Sequence, residues 1–227
     1  MKLSIIIPAY NEEKTINSIV DRIRTIDLGR DIFKEIVIVN DGSTDLTKSC
    51  LERYGDDDTI KIFHQKNMGK TAALCAGIKH ATGDILLVQD ADLEYNPVYY
   101  SQLIAPILNG QSSVVYGSRF RGKIENMSFV NKWANIISNV VFNVIYQTHL
   151  TDINTCYKVF KREVLDGIQI TSKDFCFETE VTAKLVRKKY KIHEIPIDYS
   201  ARSDKEGKKI NWPKAIHMFW GIIKYRY

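Results

Sequence analysis

The stretch LLVQDADLEYNP, residues 86–97, runs from apolar side chains straight into Asp90, Asp92 and Glu94. Its opening residues read as the end of a buried strand, because a continuous apolar run without alternation means cover on both faces. Three carboxylates at every second position then repel one another, and withdrawal from water raises that cost. A cluster of this kind at a strand end calls for a positive charge placed within it.

Outward from this stretch the chain repeats one unit. LSIIIP is a strand run ended by Pro8, and NEEKTINSIVDRIRTI follows with Ile16, Ile19, Val20 and Ile23 at helical spacing. Its acidic residues are expected in the first turn, where the helix dipole favours them. EIVIVND, IKIFHQ and DILLVQD are further strand runs, with GSTDLTKSCLERYG and GKTAALCAGIKHAT as helices between them. Such alternation predicts an α/β fold with a Rossmann-like, mostly parallel sheet flanked by helices. Ligands in such sheets bind beyond the carboxyl ends of the strands. That rule collects Pro8-Ala9-Tyr10-Asn11-Glu12, Asn40-Asp41-Gly42-Ser43 and Asp90-Ala91-Asp92 on one edge.

The second half is less regular. SSVVYGSRF reads as a strand ending in Arg119, CYKVF and KIHEIPIDY as strands, and FETEVTAKLVRKKY as a helix between those two. Residues 129–145 place Phe129, Trp133, Ile136, Ile137, Val140, Val141, Val144 and Ile145 on a wide apolar stripe, with Lys132 the one charged side chain. Residues 212–227 read as an aromatic-rich C-terminal amphipathic helix with a basic side. For both segments the choices are packing on the sheet, a homodimer contact, or a membrane surface, and packing is the plainer reading of the first. No linker, repeat or low-complexity tract interrupts the chain, so residues 1–227 are expected to form a single domain.

Composition bounds the function loosely. Hydrophobic residues at 44% and charged residues at 26% suit a globular protein and exclude a disordered one. A formal net charge of +5 suits a phosphate-bearing ligand or an anionic surface without selecting either, and no nucleic-acid partner is expected. Cys50, Cys75, Cys156 and Cys176 are scattered without a CxxC pair, as in a reduced cytosolic protein. There is no signal-peptide pattern and no apolar run of about 18 residues. The expectation is a cytoplasmic protein, attached at most peripherally to the cytoplasmic membrane face.

The acidic turn has a direct chemical reading. Mg²⁺ or Mn²⁺ prefers oxygen ligands and relieves the repulsion among such carboxylates. The same ion neutralises charge developing on a leaving diphosphate. A solvated acidic turn or a helix cap is the alternative for a D-x-D taken alone.

Four motifs in order change that balance. IIIPAYNEE, VIVNDGSTD, HQKNMGKTAALCAGIKHATGD and QDAD together resemble the nucleotide-sugar half of the inverting glycosyltransferases of family 2, which have the GT-A fold. The resemblance covers about the first 120 residues well, making 1–120 the nucleotide-sugar half and 121–227 the acceptor half. It implies that Pro8, Tyr10 and Glu12 line a nucleoside pocket and that Asp41 hydrogen-bonds the base. It also implies that Asp90, with Ala91 beside it, meets the ribose or the metal and that Asp92 ligates the metal. Glu94 stands where relatives often carry Gln as a further ligand, and Lys70 is placed to contact phosphate.

GSR at 117–119, TDINTCYKVF and YSARSDKEGKKI resemble the polyprenyl-phosphate branch of the family, similar to dolichyl-phosphate mannosyltransferase. By that resemblance Arg119 and Arg202 hold the phosphates of donor and acceptor, and Lys209 closes the late loop. Lys132 stands nearest to a further arginine of relatives, and the late loop reads Glu206-Gly207-Lys208-Lys209 in place of Gly-Glu-Ser-Lys. The implied activity is metal-dependent, inverting transfer of a hexose from GDP-mannose or a UDP-hexose to a polyprenyl phosphate. Asp92, Arg119 and Arg202 are its expected catalytic groups. A membrane surface, a homodimer or a membrane-spanning partner protein are the expected associations. Transfer to a saccharide hydroxyl, with Glu178 or Asp152 as base, and a non-catalytic membrane-surface nucleotide-binding module are the competing readings.

Overall fold

The computed structural model describes residues 1–172, 176–202 and 220–226. β1 (Lys2–Ala9) and β2 (Phe33–Asp41) are runs of Ile and Val, whose branched side chains suit a pleated surface. Ile5, Ile6, Ile7, Val37, Ile38 and Val39 are wholly buried between helices on the two faces. Between these strands, α1 (Ile16–Thr25) buries Ile16, Ile19, Val20 and Ile23, as their spacing requires. Glu12 and Glu13 lie outside its first turn, contrary to expectation. Asn11 takes φ +55° ahead of them, Glu13 accepts the Leu46 N–H at 2.9 Å, and Glu12 accepts the Thr15 hydroxyl at 2.5 Å. These carboxylates serve neighbouring loops rather than the helix dipole.

α2 (Thr47–Glu52), β3 (Ile60–Gln65), α3 (Lys70–His80) and β4 (Ile85–Val88) complete the repeating part. Then follow α4 (Tyr100–Leu108), β5 (Val114–Ser118), β6 (Ile124–Glu125), α5 (Phe129–Tyr146), β7 (Lys158–Lys161), α6 (Arg162–Asp166), α7 (Phe177–Arg187), β8 (Ile192–Pro196) and β9 (Tyr199–Ser200). Residues 220–224 are helical as well.

One seven-stranded sheet runs in the order β3-β2-β1-β4-β7-β5-β8. Its pairs are parallel except where β7 lies antiparallel between β4 and β5, with Val159 opposite both Leu87 and Val115. CYKVF reveals a buried strand, but an apolar run carries no mark of direction. Since β1, β2 and β4 point the same way, their carboxyl ends meet at one edge. The small β6–β9 ladder, with Ile124 opposite Tyr199, fixes residues 199–200 just ahead of Arg202.

α5 is turned over relative to the plainer sequence reading. The side facing the protein carries Asn135, Ser138, Asn139 and Asn143, which hydrogen-bond the loop before β7. Asn139 bridges the Thr151 carbonyl and the Ile153 N–H, and Asn143 the Leu150 carbonyl and N–H. Phe142 and Tyr146 are its buried apolar residues. Because the polar side meets backbone that needs partners, Phe129, Trp133, Ile137, Val140 and Val144 point outward and are exposed.

Candidate active site

At the carboxyl edge a cavity of about 560 Å³ opens over the ends of β1, β2 and β4. Pro8, Tyr10, Glu12, Asp41, Lys70, Asp90, Ala91, Asp92, Glu94 and Arg202 all line it. Every residue expected in the nucleotide-sugar and metal sites therefore falls in one place. Arg202 joins them from just beyond β9.

The wall below β2 is fastened by Asp41. Its Oδ1 accepts the Gln65 side-chain N–H at 2.7 Å and the Met68 N–H at 2.9 Å, and its Oδ2 accepts the Gly69 N–H at 2.8 Å. This grip holds the segment leading into α3. Gly42, at φ +69°, is required beside it, because a Cβ there would stand 2.5 Å from the Asn67 nitrogen.

The acidic turn after β4 is organised from below by Gln89, a wholly buried residue that the sequence reading passed over. Its side-chain amide donates to the carbonyls of Asp90 at 2.9 Å and Tyr95 at 3.3 Å. Its oxygen accepts the hydroxyls of Tyr100 at 2.7 Å and Tyr157 at 2.8 Å. An amide inside an apolar strand run, just ahead of the carboxylates, was the available signal. Leu93, at φ +64°, then turns the chain so that Asp92 Oδ1 accepts the Glu94 N–H at 3.2 Å.

The three carboxylates of the turn have separate surroundings. Asp90 pairs with Lys70 at 2.8 Å, and Lys70 reaches Glu178 at 2.9 Å on its other side. Burial works against the Lys70 charge, yet Asp90 and Glu178 together hold its pKa well above the ordinary lysine value. Asp92 meets Arg202 Nη2 at 3.0 Å. Burial, then Asp90 and Glu94, push the Asp92 carboxyl up to about 7 despite that arginine. Glu94 accepts the Tyr199 hydroxyl at 2.5 Å on one oxygen and the Arg202 N–H at 2.9 Å on the other. Glu94 thus ties the late strand to the turn. Among the described residues no group of three His, Cys, Asp or Glu side chains converges as a metal-ligand set, so Asp90, Asp92 and Glu94 do not form a ready three-carboxylate cage.

The remaining expected residues lie elsewhere. Arg119 is buried, and its Nε and Nη2 each stand 2.7 Å from an oxygen of Asp152. It belongs to the wall behind Tyr199, whose ring lies 5.2 Å from the guanidinium, and it does not line the cavity. Asp152, in the loop before β7, is the partner of this arginine. Lys132 is exposed on α5. Lys209 lies outside the described residues, as does most of the 212–227 segment.

The family described as Glycosyl transferase family 2 matches residues 4–168. The chain belongs to glycosyltransferase family 2. Among relatives in the family, a dolichol-phosphate mannosyltransferase of Pyrococcus furiosus is 31% identical over 216 residues, 92% of this chain and 59% of that protein. The chain therefore spans a little over half the length of that relative. A dolichyl-phosphate beta-glucosyltransferase of Trichomonas vaginalis is 28% identical over 98% of this chain and 72% of its own length. In three dimensions the chain is similar to glucosyl-3-phosphoglycerate synthase of Mycobacterium tuberculosis, with a TM-score of 0.76 over 99% of this chain and 80% of that one. At 17% identity that likeness speaks for the fold, which is GT-A.

Proposed function

We propose that this family 2 glycosyltransferase moves a hexose from a nucleotide diphosphate sugar, GDP-mannose or a UDP-hexose, to a polyprenyl phosphate with inversion. The observation that carries the reading is a single cavity where Asp90 and Asp92 stand directly against Lys70 and Arg202. Likeness to two dolichyl-phosphate glycosyltransferases supports the acceptor class.

Asp90 and Asp92 fit a hard divalent cation. They offer only oxygen donors, and burial, then the neighbouring Asp90 and Glu94, raises the Asp92 carboxyl despite Arg202, a setting in which an added cation is favoured. Bound there, Mg²⁺ or Mn²⁺ supplies neutralisation of the charge gathering on the leaving diphosphate. A glucosyl-3-phosphoglycerate synthase of this fold has been captured with Mn²⁺ and UDP, which supports the same pairing here.

The chain's own groups position the reactants. Pro8 and the half-exposed ring of Tyr10 offer a wall for the nucleoside, with Asp41 fixing the loop beneath it. Arg202 Nε is buried, has no hydrogen-bond partner among the described residues, and stands 3.8 Å from Glu94. That spare donor suits a phosphate oxygen. A phosphate monoester is anionic at neutral pH, so one of its oxygens attacks the anomeric carbon, opposite the departing diphosphate, without a general base. Both base candidates for a hydroxyl acceptor are committed, Asp152 to Arg119 and Glu178 to Lys70.

Radiolabelled GDP-mannose, UDP-glucose and UDP-galactose offered with polyprenyl phosphate or an oligosaccharide test the proposal. Label in the lipid fraction, dependent on Mn²⁺ or Mg²⁺, is expected. Label in the saccharide alone would overturn the acceptor.

A further inference from the structure

The donor cavity gathers more negative charge than its cations answer. Glu12, Asp41, Asp90, Asp92 and Glu94 line it, against Lys70 and Arg202. Arg202 faces Asp92, Glu12 and Glu94. Lys70 faces Asp90 at 2.8 Å, and there it also meets Glu178 at 2.9 Å, a carboxylate from outside the cavity wall.

The three groups come from three elements. Lys70 opens α3, next to the Gly69 N–H that Asp41 grips, so its backbone is anchored. Asp90 follows β4, and Glu178 stands in the first turn of α7, in the second half of the chain. The helix dipole favours an acid in a first turn wherever its side chain points. It does not account for an oxygen brought 2.9 Å from an ammonium on another helix. All three side chains are largely buried, with Lys70 19% exposed, Asp90 20% and Glu178 13%.

One ammonium neutralises one of two carboxylates, so the trio keeps one negative charge over. Without Glu178, Asp90 and Lys70 would be a closed pair. Sharing Asp90 with a cation would then strand a buried ammonium, which is strongly unfavourable. With Glu178 in place the ammonium keeps a partner, and Asp90 has negative charge to give.

We infer that Glu178 is a positioning residue for the donor site: it retains the Lys70 ammonium while Asp90 is shared with Mg²⁺ or Mn²⁺. The inference rests on the cation placed at Asp90 and Asp92 in the proposed reaction, and it gives Glu178 no contact with cation or substrate.

The melting temperature of the full chain, followed as Mn²⁺ is added at fixed UDP or GDP, tests the inference. The parent is expected to be stabilised, with a measurable Mn²⁺ midpoint. Glu178→Gln keeps the shape and loses the charge. It is expected to raise that midpoint about 10- to 100-fold, the scale for groups standing just behind metal ligands. Without Mn²⁺ its melting temperature is expected to match the parent's, since Lys70 then still has Asp90. Glu178→Asp keeps the charge but withdraws it by one methylene, and is expected to fall close to the glutamine variant. A glutamine variant with the parent's midpoint overturns the inference. So does an aspartate variant with the parent's midpoint, because nearby charge would then suffice without the grip on Lys70. A parent with no Mn²⁺-dependent shift in either nucleotide removes the cation itself, and the inference with it. The parent alone thus tells the two failures apart.

Discussion

Arg202 and Asp92 stand 110 positions apart, yet Arg202 Nη2 lies 3.0 Å from Asp92 Oδ2. The late strand thus returns a guanidinium to the acidic turn, with Glu12 3.4 Å away on another side. Arg202→Ala is expected to lower kcat/KM for sugar transfer by about 100-fold, the scale of losing a charge-stabilising donor. Arg202→Lys recovers little, because an ammonium cannot reproduce the fork. Steady-state kinetics with the polyprenyl phosphate varied check this, and a lysine variant close to wild type would refute the forked role.

The Asp92 carboxyl is held at about 7, above its unfolded value, by burial and by Asp90 and Glu94. A raised folded pKa means that the folded state holds its proton more tightly than the unfolded chain does. The contribution of Asp92 to stability is thus fully present below the ordinary carboxylate range and is lost as pH rises through about 7. Asp92→Asn is expected to raise the melting temperature of the free protein at pH 8, with the gain shrinking by pH 5. The same substitution is expected to abolish any Mn²⁺-dependent thermal shift caused by a nucleoside diphosphate. Melting curves across that pH range, with and without ligand, measure both effects.

Gln89 fills all four of its hydrogen bonds inside the core. Gln89→Leu would strand the Tyr100 and Tyr157 hydroxyls and the Asp90 carbonyl, at a cost of about 2–4 kcal/mol. Adding Tyr100→Phe and Tyr157→Phe is expected to return part of the stability, yet not donor affinity, because the turn bearing Asp90 and Asp92 stays unbraced. Urea unfolding and donor titration of the single and triple variants distinguish these contributions. Full recovery of donor affinity would remove Gln89 from any positioning role.

Far from the cavity, Glu35 is buried among the Ser4 hydroxyl, the Thr82 N–H and hydroxyl, and the ammonium groups of Lys2 and Lys61. Burial raises its pKa, but Lys61, Ser4 and Thr82 outweigh it and leave it far below the ordinary glutamate value. The sign is opposite to that at Asp92: its stabilisation is present above the unfolded pKa and is lost as pH falls toward the folded one. Glu35→Gln is expected to cost about 3 kcal/mol at pH 7 and to flatten the fall in melting temperature between pH 5 and pH 3.

Much of this arrangement was legible in the residues. Apolar runs such as SIII and IVIV announced strands covered on both faces, and the order of strands and helices put Tyr10, Asp41 and Asp92 at one edge. What could not be read was pairing at a distance. The sequence carries no mark of Asp152 against Arg119, nor of the Tyr199 hydroxyl and the Arg202 backbone on the two oxygens of Glu94. The stripe on α5 was visible, but its direction depended on Asn139 and Asn143 finding loop backbone to bind. Hydrophobicity alone is silent about which side of a helix has hydrogen-bonding work to do.

β7 comes from the second half of the chain and is hydrogen-bonded to β4, the last parallel strand of the first. Severing the chain near residue 120 would leave β4 with a bare edge along three paired positions, just beneath the acidic turn. The two halves of the chain are therefore not interchangeable modules. A chimera built to change the acceptor would need to keep β7 with its native neighbours and graft only the surface segments around it.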